Sequence, residues 1–381
     1  MKRTSPFLLP ALLLLAAEAA EAQRRRVVTH PTPVHVEAHT QGGYADRASV
    51  IQGQDITFHI ATSVSPFALS FVNLNDPDRE LSRINNLTSR PQDCSGRFRG
   101  CGWDATATLR VPRSWPSGYY AAKFPTAFGE KNVFFVVRAE VPASESATLL
   151  IAPTHTYQAY NRFGGASLYY DYNGRAEHRA SYVSYERPYD DSNGLGRFDY
   201  WEHAFIDWMQ GEGRRFEAAT DVDLEDPTLL SRYKLVVLTG HSEYWTARAR
   251  ENLETYHRNG GHIAVFGGNT MWWQVRLEDD NRTIVGFKQR ALFDPVRGET
   301  TTTHWYTPPV HLPENLIFGA SFRNGGYANK VADPNSYELL PVEQRTGWTV
   351  TDSNHWIFQG TGVTRGSTFG RITVGLEVDG A

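Results

Sequence analysis

Cysteine is nearly absent from this chain, which has only Cys94 and Cys101 among its 381 residues. No cysteine follows Cys101, so a cysteine nucleophile is excluded from the whole region downstream. In an exported protein such an isolated pair predicts a local disulfide, with two free thiols as the alternative.

The chain also lacks an excess of either charge, and outside its N-terminus it lacks long apolar runs. A formal net charge of −4 gives no electrostatic reason to expect a nucleic-acid partner. The apolar run Phe7–Ala17 is too short for a good membrane span and follows the basic residues Lys2 and Arg3. It predicts a signal peptide over residues 1–22 and a secreted or periplasmic protein with no span after cleavage, with an uncleaved anchor as the alternative.

The common catalytic signatures are missing as well. The sequence contains no G-x-S-x-G elbow, no P-loop and no H-E-x-x-H motif. Ser242 follows an apolar run, but it lacks the flanking glycine of a nucleophile elbow. A serine nucleophile is therefore not favoured.

Residues 30–140 have the pattern of an all-β domain. Ile56, Phe58 and Ile60 alternate with polar residues, as in a half-buried strand, and the turn signal 115–118 separates further short strands. This spacing predicts a small β-sandwich of immunoglobulin type.

Residues 147–381 instead predict an α/β domain with a parallel sheet. A helix that Thr246 could cap lies between the last two of four short apolar runs, and such a strand–helix–strand order is typical of parallel units. The carboxyl ends of parallel strands meet at one edge, where ligand sites lie. The predicted strands are 148–152, 216–219, 235–238 and 263–266. Between the first two, the helical spacing of Trp201, Phe205, Trp208 and Met209 predicts a helix with these residues on its apolar face.

A long aromatic segment, residues 157–200, follows the first of these strands without a clear period. Its tyrosine content argues against disorder. The segment starts at the carboxyl end of the first predicted strand, which lies at the edge of the sheet where a ligand site is predicted. It could cover a site or could equally be an ordinary packed cover.

The tip GHSEYW, residues 240–245, carries groups that can bind or react. His241 is a possible ligand, base or structural donor. Glu243 and Tyr244 offer the oxygens that ferric iron prefers, and a cation would keep the phenol deprotonated. The same residues also suit a structural role in which Tyr244 packs on the sheet edge and Glu243 caps the next helix.

Several motifs together resemble one family. They are TYQAYNRFGGASLY, SYERPY, FDYWEHAFIDWMQ, ATDVDL, GHSEYW and GGNTMWWQVR, in this order. The set is similar to the C-terminal region of the N,N-dimethylformamidase large (beta) subunit family, over residues 148–379. The resemblance implies a sheet related to the class I glutamine amidotransferase fold, without the cysteine of that fold.

The resemblance also implies an amide-hydrolysing ferric site held by tyrosines and a glutamate. Tyr244 falls on the family's H-x-E-Y motif, Glu299 precedes Trp305 as the glutamate is expected to precede a tryptophan, and spacing alone suggests Tyr200 as the second tyrosine. His241 or Glu243 would move the proton. The predicted substrate cleft is lined by His155, Tyr157, Asn161, Asp221, Asn269 and Trp272.

Two functions follow from this reading. The first is an exported, iron-dependent hydrolase that cleaves an amide C–N bond in an unknown small molecule. Such an enzyme could be an oligomer. The second is a non-catalytic or carbohydrate-binding secreted protein with an aromatic cleft. Iron content distinguishes the two.

Overall fold

The computed structural model describes residues 40–191, 193–327, 340–341, 344–345, 347–369 and 377–380. The predicted signal peptide lies outside these residues, so the predicted export stays a prediction. Among the described residues, no helix is long and apolar enough to cross a membrane.

Eight strands in two sheets form the first part of the structure. They are β1 (Gly42–Ala45), β2 (Ser49–Ile51), β3 (Asp55–Ala61), β4 (Phe67–Asn73), β5 (Asp76–Leu87), β6 (Ala107–Arg110), β7 (Gly118–Thr126) and β8 (Gly129–Arg138). The strand orders are β1-β3-β6 and β2-β8-β7-β4-β5. The alternation in β3 buries Ile56, Phe58 and Ile60 between the sheets, where Phe58 packs edge-on against Phe135. The immunoglobulin relationship stays a prediction.

The second part mixes helices and strands. Up to residue 266 its elements are β9 (Thr148–Ala152), α1 (Thr154–Tyr160), β10 (Tyr182–Ser184), α2 (Phe198–Trp201), α3 (His203–Gly211), β11 (Glu217–Thr220), β12 (Leu235–Thr239), β13 (Tyr244–Thr246), α4 (Ala247–Arg258) and β14 (His262–Phe266). Short 3-10 helices cover Ala176–His178, Asp221–Glu225 and Leu229–Arg232.

The remaining elements are shorter. They are β15 (Trp273–Glu278), β16 (Thr283–Val285), α5 (Asn315–Phe318), α6 (Phe322–Gly325), β17 (Gly326–Tyr327), β18 (Trp348–Thr349), β19 (Thr368–Phe369) and β20 (Glu377–Gly380), with 3-10 helices at Lys288–Phe293 and Trp356–Phe358. A second four-stranded sheet has the order β10-β16-β15-β13.

A four-stranded parallel sheet organises the second part. Its order is β11-β9-β12-β14, and each neighbouring pair is parallel. The four strands expected from the apolar runs are thus present, with ends shifted by one residue at most. Thr246 caps α4 as predicted, because its hydroxyl accepts the Ala249 N–H at 3.0 Å. The relation to the glutamine amidotransferase fold stays a prediction.

The helix expected around Trp201 and Met209 differs from its prediction. The chain forms α2 and α3 there, and α3 buries Ile206 and Met209, while the Trp208 side chain is half exposed. The predicted apolar face included Trp208 because its spacing from Trp201 spans the break between the two helices.

The two parts share one core and are hydrogen-bonded to each other. Tyr119 and Phe134 of the sandwich pack with Phe198 of α2. The Ser117 hydroxyl accepts the Ala218 N–H of edge strand β11 at 2.9 Å. The division into two domains, residues 30–140 and residues 147–381, stays a prediction.

The predicted Cys94–Cys101 disulfide is present. Its loop contacts the aromatic segment 157–200 directly. The Cys101 N–H donates to the Glu186 carbonyl at 2.8 Å, and the Ser184 N–H donates to the Phe98 carbonyl at 3.0 Å. The loop therefore supports the segment that leaves β9 and returns to the sheet.

Candidate functional site

The tips that follow β9 and β12 meet at the carboxyl edge of the parallel sheet. After β12, Gly240 turns the chain with a φ of +71°, a conformation that favours glycine. The tip then hydrogen-bonds to α1, which follows β9, because the Glu243 N–H donates to the Thr156 hydroxyl at 3.1 Å. This bond ties the tip to the first turn of α1, and the Glu243 side chain reaches Tyr160 at the end of the same helix.

Glu243 is the centre of the site. Its carboxylate is 3% exposed and has four neighbouring donors. The Tyr169 hydroxyl lies 2.7 and 2.9 Å from the two carboxylate oxygens, and the Tyr160 hydroxyl lies 3.0 Å from one of them. The Trp273 indole N–H donates at 2.9 Å, and His241 Nε2 lies at 3.3 Å. Two phenol oxygens and a carboxylate therefore converge on one point.

The two tyrosines reach Glu243 from different segments. Tyr160 ends α1, whereas Tyr169 lies in the part of the aromatic segment that follows this helix, and their rings stack with centroids 4.4 Å apart. Burial, and then the negative charge of Glu243, raise the pKa of both phenols well above its ordinary value. In the metal-free protein the phenols are therefore protonated donors.

Lys288 places a buried amino group next to these groups. Its Nζ lies 2.8 Å from the Tyr244 hydroxyl and 3.1 Å from the centre of the Tyr169 ring. Burial lowers the pKa of Lys288 to about 7, although Glu243 opposes the shift. Burial alone would raise the pKa of Glu243, but His241 and Lys288 outweigh it and keep this pKa below its ordinary value.

His241 connects Glu243 with a second carboxylate. Its Nε2 lies 3.3 Å from both Glu243 Oε2 and Glu377 Oε2, and its Nδ1 lies 3.3 Å from the Gly268 carbonyl. Asn269 lies beside the same carboxylate, with its amide 3.4 Å from Glu377. Burial would lower the pKa of His241, but the two carboxylates raise it to about 8.

In the metal-free protein, we expect His241 to stabilise the fold below neutral pH. Its folded pKa of about 8 exceeds the ordinary value of 6.5, so the contribution is fully present below that value. It is lost as the pH rises through about 8. Urea unfolding from pH 6 to 9 gives the free energy of unfolding of the parent and of His241→Asn, and the difference between the two reports the contribution of His241. Because Lys288 titrates in an overlapping range with the opposite sign, the difference between the two proteins is the relevant quantity. A pH-independent difference would contradict the prediction.

Aromatic side chains form the wall behind Trp273. His304 stacks on Trp273 with ring centroids 3.8 Å apart, and Trp272 packs against Tyr306 and Phe322. Burial and, second, the charge of Lys288 lower the pKa of His304 to about 4. His304 is therefore neutral near pH 7, unlike His241.

Comparison with known proteins identifies the family. Residues 78–381 match the family model described as N,N-dimethylformamidase beta subunit-like, C-terminal. The chain belongs to this family. The resemblance seen in the sequence motifs is thus confirmed, and the match begins inside the sandwich, at β5.

Two curated members of the N,N-dimethylformamidase family are similar to this chain. It is 27% identical over 280 residues to the N,N-dimethylformamidase beta subunit of an Alcaligenes species. It is 26% identical over 282 residues to the beta subunit from Paracoccus aminophilus. Each match covers 63% of this chain and 35% of the relative. The chain therefore spans about a third of the length of these relatives.

The structure separates the three predicted metal ligands. Tyr244 lies near the site, but its hydroxyl is bonded to Lys288. The Tyr200 side chain is 79% exposed, and Glu299 is exposed, its carbonyl accepting from Gln274. Tyr200 lies in α2 with its side chain outward, and Glu299 lies in an exposed loop, so their role as ligands stays a prediction.

The structure brings His241 and Glu243, the predicted proton-handling pair, together. Most of the residues predicted to line the cleft instead contact other parts of the protein interior. Tyr157 is buried and hydrogen-bonds to Glu202, and the Asn161 amide donates to the Pro188 carbonyl. The remaining cleft residues divide into a fully buried pair, His155 with Asp221, and two residues beside the site, Asn269 and Trp272.

Sequence reasoning missed Tyr160, Tyr169, Lys288 and Glu377 as site residues. Tyr160 and Tyr169 both lie in the motif TYQAYNRFGGASLY, so the motif contained them without marking them as ligands. Lys288 and Glu377 had no local signal.

Proposed function

We propose that this protein hydrolyses an amide C–N bond with the help of a ferric ion held by Tyr160, Tyr169 and Glu243. The observation that carries the proposal is the convergence of both phenol oxygens on one buried carboxylate, at 2.7 to 3.0 Å. The family relationship supports the reaction, since the two relatives are named as N,N-dimethylformamidase subunits.

The residues at this site fit a hard, highly charged cation. Carboxylate and phenolate oxygens are ligands that ferric iron prefers. The pKa of both buried phenols is raised, and a bound cation would lower it and so favour the phenolate form. Among the described residues, no three His, Cys, Asp or Glu side chains form a group that could hold a metal ion. A metal at this site would thus need the phenol oxygens.

The surrounding residues have separate roles in this proposal. Iron would supply a Lewis acid that polarises the amide carbonyl. The Trp273 indole orients Glu243 through one carboxylate oxygen. His241, held protonated near pH 7 by Glu243 and Glu377, can donate a proton from Nε2 to the leaving amine and regain one from the attacking water. Lys288 places positive charge against the ring of Tyr169.

The substrate that we propose is a small amide of unknown identity. The relatives are named as beta subunits, so we also propose association with further chains. The carbohydrate-binding alternative has less support, because most tyrosines of the aromatic segment are packed inward and, among its described residues, only Tyr170 and Tyr200 have exposed side chains.

Iron content tests the proposal directly. The purified chain should contain about one iron per molecule and show a visible tyrosinate-to-iron band. A panel of small N-alkyl amides, including N,N-dimethylformamide, should then show amine release that chelation abolishes. Protein that takes up no iron would refute the proposed mechanism.

We expect Tyr169→Phe to lose iron and Tyr244→Phe to keep it. Both changes retain the ring and its packing, but only the Tyr169 hydroxyl contacts Glu243. Removal of a ligand should weaken iron binding by at least about 100-fold, more than an outer contact costs. Iron titration and the visible band measure the effect. The opposite result, with iron lost from Tyr244→Phe alone, would restore Tyr244 as the ligand.

A further inference from the structure

Asp221 is a buried carboxylate that contacts the start of α1. It follows β11 and begins the 3-10 helix Asp221–Glu225. One carboxylate oxygen accepts the His155 N–H at 2.7 Å and lies 3.1 Å from His155 Nδ1, and the other accepts the Thr154 hydroxyl at 2.5 Å. Asp221 is only 1% exposed, so these bonds are made out of contact with solvent.

These bonds fix the start of α1. This helix has seven residues, begins after Pro153 and has no side-chain cap of its own. So short a helix is marginal by itself, and its position depends on outside contacts. Asp221 provides one from the neighbouring strand, since it satisfies the His155 N–H that the helix leaves unpaired.

The same helix carries two groups that contact Glu243. Thr156, in the first turn, accepts the Glu243 N–H at 3.1 Å. Tyr160, in the last turn, donates its hydroxyl to the Glu243 carboxylate at 3.0 Å. A shift or rotation of α1 would move both contacts together.

We infer that Asp221 is a positioning residue that sets the geometry of Tyr160 and Glu243 through the first turn of α1. Its consequence for iron depends on the proposed function, whereas its consequence for α1 does not. Asp221 touches neither phenol of the site directly, and its effect passes through Thr154 and His155.

Strand β11 offers a matched control at its other end. Glu217 is also fully buried and accepts backbone N–H groups, from Ala143 at 3.0 Å and from Glu145 at 2.7 Å. It also hydrogen-bonds to Tyr233. These partners lie at the opposite edge of the sheet, so Glu217 matches Asp221 in burial and chemistry but not in its relation to the site.

The test compares Asp221→Asn with Glu217→Gln. The amide nitrogen of asparagine cannot accept an N–H, so the anchor of α1 is weakened. Hydrogen exchange of the metal-free proteins should show amides 155–160 and 243 exchanging about 10- to 100-fold faster in Asp221→Asn only. In iron-loaded protein, Asp221→Asn should shift the wavelength of the tyrosinate-to-iron band and weaken iron binding about 10-fold. Glu217→Gln should leave the band in place.

Thr154→Val is the milder variant if Asp221→Asn does not fold. It removes only the hydroxyl that donates to Asp221, and it should shift exchange and band in the same direction by less. Unchanged exchange of residues 155–160 in both variants would overturn the inference, and so would an equal change in Glu217→Gln. If the parent binds no iron but the exchange pattern holds, the positioning role of Asp221 stands and the proposed metal function fails.

Discussion

Glu243→Gln should remove bound iron and with it the hydrolytic activity. The carboxylate is the one group that both phenols, the Trp273 indole and His241 approach. A neutral amide is a poorer ligand for a hard cation, and it would leave the nearby charge of Lys288 without its compensating carboxylate. We expect iron binding to weaken by more than about 100-fold, beyond the cost of an outer contact.

Glu299→Gln is the matched control for this substitution. It makes the same chemical change at the exposed glutamate that the sequence favoured as a ligand. Iron per chain, visible absorbance and amine release should all stay at the parent level. Iron loss from Glu299→Gln with retention in Glu243→Gln would reverse our assignment of the ligand.

Gly267→Ala should destabilise the protein and also displace the tip that carries Glu243. A Cβ atom at residue 267 would collide with the backbone carbonyl of Gly240, so the collision cannot be relieved by a rotamer change. The tips after β12 and β14 would have to separate. We expect a loss of about 3 kcal/mol in the free energy of unfolding, together with weaker iron binding.

Gly211→Ala controls for the replacement of a glycine as such. A Cβ atom at this helical position would have no neighbour within 4 Å. Alanine also has the higher helix propensity, so stability should be equal or slightly higher. Urea unfolding of both variants measures the contrast. A Gly267→Ala protein as stable as the parent would show that the two tips are not packed as closely as described.

The parallel strands could be predicted because their signal is local. Each contains a short apolar run, such as residues 235–238, that polar residues follow closely in the sequence. The cap at Thr246 has an equally local signal. Helix faces are less predictable. Because the chain breaks between α2 and α3, Trp201 packs against the core while Trp208 is half exposed.

The set of site residues could be predicted only in part. His241 and Glu243 share a tip with an evident chemical character. Tyr169 and Lys288 reach the same point through segments without periodicity, and their positions depend on tertiary contacts. Tyr244 was the natural choice for a ligand beside Glu243, but neighbouring residues on a strand point to opposite faces, and its hydroxyl meets Lys288 instead.

The contact between the disulfide loop and the aromatic segment limits where this chain can be cut. The segment that presents Tyr169 is hydrogen-bonded to the loop that Cys94 and Cys101 close, through Glu186 and Phe98. A protein engineer who transplants only the parallel-sheet part, from residue 147 onward, would remove the scaffold on which that segment rests. The sandwich thus supports the aromatic segment structurally. A fragment that is to keep Tyr169 in place should therefore include both the sandwich and the parallel-sheet part.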